Sequence, residues 1–319
     1  MPAVRSTRDE PEAEREAIER TPLLIHSLAQ FGEATRRPLE IVEPRSIVEI
    51  GGEGGKFTAA LLDWATEHNG TLTTIDTDPS AELRRLDGQS DAMRLVEQPS
   101  PDSLDEIEAS DLYVIDGDHN YAVVNAEVDK VLAATTDQGR PTLLVFHDVC
   151  WPWARRDLYY SPESLAEMDV HPHSFTAGLT RESVEPQEGR GYRGNGTFAI
   201  AETSGGERNG VLTAIEDAIS HRQGLDLYVV QAIFGLGFLF PTDAPWAGEM
   251  RSFLRPLVES DLIPTLEQNR LALYLQILDL QSALERRTIQ YNSHLAILEG
   301  QVGRAPGDEL RVAGFEEVP

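Results

Sequence analysis

Two polar clusters close two apolar runs of this chain. Asp116, Gly117, Asp118 and His119 end the run in DLYVIDGDHNY (111–121), and His147 with Asp148 ends TLLVFHDVCWP (142–152). Carboxylates on adjacent strand ends can share a hard divalent cation, which prefers oxygen ligands. A histidine whose pKa lies near neutrality can take the proton of a hydroxyl. Plainer roles exist for the same groups: Asp118 can cap the helix that follows, and Asp148 can pair with Arg155 or Arg156. His171 and His173, farther along, read as solvent-exposed.

A third polar constellation surrounds SIVEIGGEGGKFT (46–58), with Glu49 before the glycines, Glu53 among them and Asp76 roughly 20 residues past the turn. Ser46 to Ile50 reads as a buried strand. Phe57, Leu61, Leu62 and Trp64 recur at helical spacing after the glycines. Strand, glycine turn and helix form the nucleotide-binding corner of a doubly wound α/β fold, where backbone and helix amides can approach a ligand. The spacing is not that of a dinucleotide fingerprint, because Glu53 stands two residues after Gly51, where a pyrophosphate would lie. A ligand without phosphate fits better. S-adenosylmethionine offers a cationic sulfonium, an amino group and a ribose whose hydroxyls Asp76 can bind.

These residues need a sheet to hold them. TLTTIDTDP (71–79) reads as the second strand and MRLVEQP (93–99) as the third; 111–121 and 142–152 supply the fourth and fifth. Four of the five are near-continuous apolar runs, as in a parallel sheet covered on both faces. Both polar clusters then fall on the carboxyl edge, where α/β ligand sites lie. Helices are expected over about 11–31, 122–134 and 211–220. Residues 151–196, rich in aromatics and arginine, read as a lid over an acceptor; within it RESVEPQEGRGYRGNG looks like a mobile loop. Trp151, Trp153, Tyr159 and Tyr160 can line an apolar pocket or anchor the lid, and Arg155 and Arg156 can hold an acceptor's carboxylate. TFAIAET (197–203) reads as a further strand. LDLYVVQAIFGLGFLF (225–240) reads as a closing hairpin that turns near Gly235–Gly237.

The segment EIGGEGG resembles the first motif of class I S-adenosylmethionine-dependent methyltransferases. IDGDHNY and FHDV look like the metal-ligand strand ends of Mg²⁺-dependent O-methyltransferases, and most like those of bacterial natural-product and sugar O-methyltransferases. The resemblance covers about 46–240. It implies a Rossmann-like sheet ending in an antiparallel hairpin, and a methyl donor held by Glu49, Gly51, Gly52, Glu53, Gly55, Asp76, Thr77, Ser100, Asp116 and Gly117. It also implies Asp116 and Asp148 as ligands of Mg²⁺ or another divalent cation, and His119 or His147 as the base, with Asp148 beside them in the reaction. Plant and animal relatives carry Asn after the second aspartate. Here Val149 stands in its place, so the third ligand is missing or moved to His147. The implied activity is methylation of a hydroxyl on a small specialised metabolite. A nicotinamide-dependent oxidoreductase and a non-catalytic assembly partner are the alternatives.

Of the 319 residues, 27 are basic and 54 acidic, a net charge of −27. Such a surface repels phosphate backbones and anionic lipid, so nucleic acid and membrane are poor partners. Cys150 is the one cysteine, which fits a reducing cytoplasm. The expected organisation is a helical segment over 1–45, a donor-binding domain over 46–245 and a helical tail over 246–319. In the tail, Leu266, Leu273, Ile277, Leu280 and Leu284 continue to Tyr291, Leu295, Leu298 and Val302 in steps of three, four and seven, with a stutter near Thr288. That pattern suits either a helix packed on its own domain or a coiled coil that makes a homodimer, which is the expectation carried forward.

Overall fold

The computed structural model describes residues 27–302. Most of the helix expected over 11–31 lies outside them; of its end, Leu28–Gln30 form one 3-10 turn. Seven strands make one sheet: β1 (Ser46–Ile50), β2 (Thr71–Ile75), β3 (Met93–Val96), β4 (Leu112–Ile115), β5 (Leu143–His147), β6 (Leu225–Val230) and β7 (Leu236–Pro241). Their order is β6-β7-β5-β4-β1-β2-β3. β1 to β5 run parallel, whereas β7 is antiparallel to both β5 and β6.

The apolar runs follow from two-sided burial. Ile47, Leu112, Val114, Leu143 and Val145 face one layer, made with α1 (Glu33–Val42), α2 (Lys56–Glu67), α3 (Ala81–Asp87) and α6 (Ala247–Val258). Their neighbours Val48, Tyr113, Ile115, Leu144 and Phe146 face the other, made with α4 (Tyr121–Asp137) and α5 (Val211–Ile219). Alternate side chains therefore point to opposite faces, and both faces are dry. α4 starts where Asn120 accepts a hydrogen bond from the Val123 amide at 3.0 Å. Asp118, expected as a possible cap, instead accepts from the His119 amide and the Asn120 side chain.

The strand order reverses between β1 and β4, which opens the crevice at their carboxyl ends. Gly51 follows β1 with φ +86°, and a Cβ there would stand 2.4 Å from the Asp116 carbonyl oxygen. A Cβ on Gly52 would stand 2.8 Å from Leu83. The turn thus needs glycine for contact with the chain's own backbone and side chains, a reason separate from approach to a ligand.

Two segments differ from expectation. The hairpin turns at 231–235, and Gly237 lies inside β7 paired with Phe146, where a side chain would crowd Val149 and Phe146. The strand expected over 197–203 is Ala199–Ala201, and it joins a separate three-stranded sheet with Leu158–Tyr159 and His173–Ser174. The second strand of a short hairpin, Gln187–Glu188 paired with Ala177–Gly178, lies inside the stretch expected as a loop. Asp157 ties this lid to the starts of α4 and α5: its buried carboxylate accepts from the amides of Tyr121 (2.8 Å) and Gly210 (2.7 Å) and from the Tyr159 hydroxyl (2.9 Å).

The tail expected over 246–319 holds α6, which packs on the sheet, and one long helix, α7 (Leu262–Val302). One side of it rests on the lid and hairpin. Glu267 accepts from the Phe234 amide at 3.0 Å, Asp279 accepts from the Gly191 amide at 3.0 Å and from Arg190, and Ser282 accepts from Arg193 at 2.9 Å. Leu266, Leu273, Ile277, Leu280 and Leu284 lie exposed on another side.

Replacing Gly51 by alanine forces a left-handed Cβ against the Asp116 carbonyl, so Gly51→Ala should lose about 2–5 kcal/mol of unfolding free energy. Urea denaturation measures it; a loss under about 0.5 kcal/mol would mean that the turn relaxes freely.

Candidate active site

The glycine turn meets the sheet through one acid. Asp76, just past β2, accepts from the amides of Gly52 at 3.0 Å and Glu53 at 3.1 Å through one oxygen, and from the Asp78 amide at 2.9 Å through the other. The amides that a phosphate would use are therefore already bonded to a carboxylate. Glu53 is exposed with φ +45°, and Gly55 starts α2 with φ +74°. Glu49 lies beneath the turn, 1% exposed, and accepts from the Thr74 hydroxyl at 3.0 Å. Burial pushes its carboxyl up to about 7, against the pull of the nearby threonine hydroxyls. Glu49, Asp76 and Asp116 are thus acidic groups around one crevice. That set suits a ligand with a cationic centre and free hydroxyls and opposes one with pyrophosphate. Thr77 is exposed beside Asp76, and Gly117 is half-buried after Asp116. Ser100 is buried and bonded to the fully buried Glu127.

At the ends of β4 and β5, one atom each of Asp116, His119 and Asp148 lies within 4.8 Å of the other two. His119 Nε2 stands 2.6 Å from Asp148 Oδ2 and 3.6 Å from Asp116 Oδ1. His119 Nδ1 and Asp148 Oδ1 are buried with no hydrogen-bond partner, and His119 Nε2 has only its ion pairs with the two aspartates. Buried polar atoms without partners are costly. Two carboxylates and an imidazole meeting at one point are a donor set for a divalent cation. Asp148 is held at φ +59°, a conformation that non-glycine residues rarely adopt and that clusters at functional sites.

The third position of this triad belongs to His119, whereas the sequence pointed to His147. His147 stands behind: Nε2 donates to the Ile233 carbonyl at 3.1 Å and Nδ1 faces Asp116 Oδ1 at 3.2 Å. Burial opposes its charge, but Asp148 and Asp116 outweigh that and raise its pKa to about 9. Acceptors at both ring nitrogens and the raised pKa favour the doubly protonated ring. The same contest leaves His119 well above its ordinary value. Burial works to raise Asp116, yet the two histidines hold it down at about 2.

The lid residues divide. Trp153 and Tyr159 are buried and serve packing, whereas Tyr160 is half-exposed with its ring 6.3 Å from His119. Trp151 is half-buried. Arg155 is bound to Glu216, and Arg156 donates to the carbonyls of Ala201 and Val184, so neither is free for an acceptor's carboxylate. His173 is half-buried against Tyr159, and His171 donates to or accepts from nothing at the triad. Sequence reasoning missed Tyr192, Phe198, Phe234 and Tyr274, which form a linked group of rings 5.8–6.2 Å apart. Tyr160 links this group to the triad, its ring 6.3 Å from both Phe198 and His119. Tyr192 lies between glycines in a stretch with no periodicity, and Tyr274 lies off the heptad stripe, so neither had a local signal.

Residues 48–149 match the family model described as "Methyltransferase domain". No curated protein matches the chain. Solved structures similar to it include cofactor-bound Rv0187 from MTB, 17% identical, covering 74% of this chain and 92% of that one at a TM-score of 0.42. The O-methyltransferase from Bacillus cereus in complex with SAH is 15% identical, covering 72% and 88% at 0.42. The O-methyltransferase TomG from Streptomyces achromogenes, involved in tomaymycin synthesis and solved with SAM, is 15% identical, covering 73% and 91% at 0.40.

Because burial lifts Glu49 from its ordinary 4.5 to about 7, the folded chain keeps a proton that the unfolded chain releases. Wild-type stability therefore falls as pH rises through that window, and Glu49→Gln escapes the fall. Denaturation of the ligand-free proteins should move the variant-minus-wild-type difference toward the variant by about 3 kcal/mol between pH 4.5 and 8. A difference independent of pH contradicts this.

Proposed function

We propose, from a chain with the class I S-adenosylmethionine-dependent methyltransferase fold, that it methylates a hydroxyl of a small specialised metabolite with help from a divalent cation. The observation that carries the reading is the pairing of an acid-lined, phosphate-excluding turn with the Asp116–His119–Asp148 triad at the next strand ends. The reading assigns donor binding to 46–245, with 151–196 over the acceptor, and sets the protein in the cytoplasm.

S-adenosylmethionine supplies a methyl group on a sulfonium, and a cation at the triad lowers the pKa of an acceptor hydroxyl and orients it. Asp76 and the residues of the glycine turn bind the adenosyl part, with Thr77, Ser100 and Gly117 along the same crevice. Glu49 and Asp116 favour its positive end. Asp116, His119 and Asp148 would hold such a cation, and His119 would bind it as the neutral imidazole. His147 is a positioning residue: pinned between Ile233 and Asp116, it orients that carboxylate and keeps it ionised. Asp148 Oδ1, buried and without a partner, is the atom assigned to receive the hydroxyl proton. Tyr160, Tyr192 and Trp151 exclude water on the acceptor side. With Arg155 and Arg156 bound elsewhere, the acceptor is taken to be uncharged.

The nicotinamide alternative has no observation in its favour, since Asp76 fills the turn amides and the sheet closes with an antiparallel hairpin.

Two outcomes test this reading. Transfer of labelled methyl to a panel of uncharged phenols and polyols should stop with chelator and return with Mg²⁺ or Mn²⁺; transfer indifferent to chelator removes the cation, and no transfer to any acceptor favours a non-catalytic role. His147→Gln should weaken cation affinity about 10–100-fold, as loss of an orienting partner does. Unchanged affinity, measured by calorimetry, would deny His147 that role.

A further inference from the structure

α7 has two faces. At 100° per residue, Leu262, Leu266, Leu273, Ile277, Leu280, Leu284, Tyr291 and Leu295 fall in one stripe about 60° wide. All eight are exposed, by 37–66%. Glu267, Leu271, Leu275 and Ser282 lie on the opposite side, buried against the lid and the hairpin turn. Packing on the chain's own lid therefore accounts for one face and leaves the heptad stripe bare.

The last hydrogen bond from α7 to the lid is made by Arg286, to the Gly189 carbonyl at 3.3 Å. From Arg286 to Leu295 each residue is exposed, yet the helix continues to Val302. A helical extension of that kind is marginal in water without packing. The stripe leaves on the order of 700 Å² of apolar surface, close to the ~800 Å² that one partner brings to a standard interface. The discontinuity near Thr288 narrows the choice of partner. Two identical helices in parallel register place their stutters side by side and keep every knob opposed, whereas an unrelated helix would need a matching insertion.

We infer that the outward stripe of α7 is the contact face for a second copy of this chain, and that pairing there braces the acceptor side of the site from behind. The bracing runs through the inner face. Glu267 holds the Phe234 amide, Arg270 lies over the Phe234 ring, and Tyr274 packs against Tyr192 and Phe234. Asp279 and Ser282 hold Gly191 and Arg193 on either side of Tyr192. This second half rests on the acceptor-site reading above; the pairing itself does not.

The test uses the full chain in two forms, wild type and Ile277→Glu with Leu284→Glu, which touch neither lid nor triad. Sedimentation equilibrium at tens of micromolar should give wild type twice the 35.3 kDa chain mass and the variant a single chain mass. Hydrogen exchange should leave β4 and β5 amides equally protected in both, while 187–193 exchange at least tenfold faster in the variant. A single-chain mass for wild type, or a two-chain mass for the variant, overturns the pairing. A single-chain variant with unchanged exchange over 187–193 overturns the bracing. Should the double variant lose protection in β4 and β5, Leu280→Ser must weaken self-association at least tenfold with the sheet intact, and wild-type affinity there overturns the proposal. No readout involves the methyl donor, so failed pairing and a failed functional reading remain separate results.

Discussion

One carboxylate decides what the crevice of this sheet can hold. Asp76 occupies the Gly52 and Glu53 amides, the donors that a glycine turn in this position would otherwise offer to a phosphate. It both fills those donors and sets a negative charge over them. Asp116 across it extends the same sign around the crevice, and Glu49 below the turn, raised to about 7 by burial, adds a charge only once its proton leaves. The parallel β1–β5 core is compatible with several ligands; this arrangement of acids is compatible with few. A donor with a positive centre, hydroxyls and no phosphate meets it.

The second cluster is balanced internally. Asp116, His119, His147 and Asp148 sit within a few ångströms at two strand ends, and each histidine is held protonated by the aspartates it faces. His147 keeps its proton because both ring nitrogens have acceptors. His119 Nε2 faces only the two aspartates and Nδ1 has no partner, so it is the group whose proton a cation between those carboxylates can replace. The left-handed backbone of Asp148 and the dry Val149 behind it keep that carboxylate turned toward the triad.

The sheet was legible because its signal is physical and local. Two-sided burial makes apolar runs, and IVEI, LYVI and LLVFH declare themselves without reference to their neighbours. The polar strand ends were legible for the same reason, as charge that follows an apolar run must lie at an edge. The third member of the triad was not. His119 and His147 each lie beside an aspartate in the sequence, and only the turn after β4 decides which ring reaches Asp148. The lid was harder still, since its three-stranded sheet pairs residues 26 to 42 positions apart and its buried Asp157 and Arg156 look like surface charge in one dimension. The tail carried two overlapping patterns. The heptad stripe was readable, but the opposite face is a mixture of Glu267, Tyr274, Asp279 and Ser282, which match a lid that no periodicity announces.

The most direct measurement is calorimetric titration of the wild-type chain with S-adenosylhomocysteine and, separately, with NADH. Binding of the first at least 100-fold tighter than the second, a gap of about 2.7 kcal/mol or more, is the result that an acid-filled turn requires. NADH binding as tightly as S-adenosylhomocysteine, or more so, would contradict it.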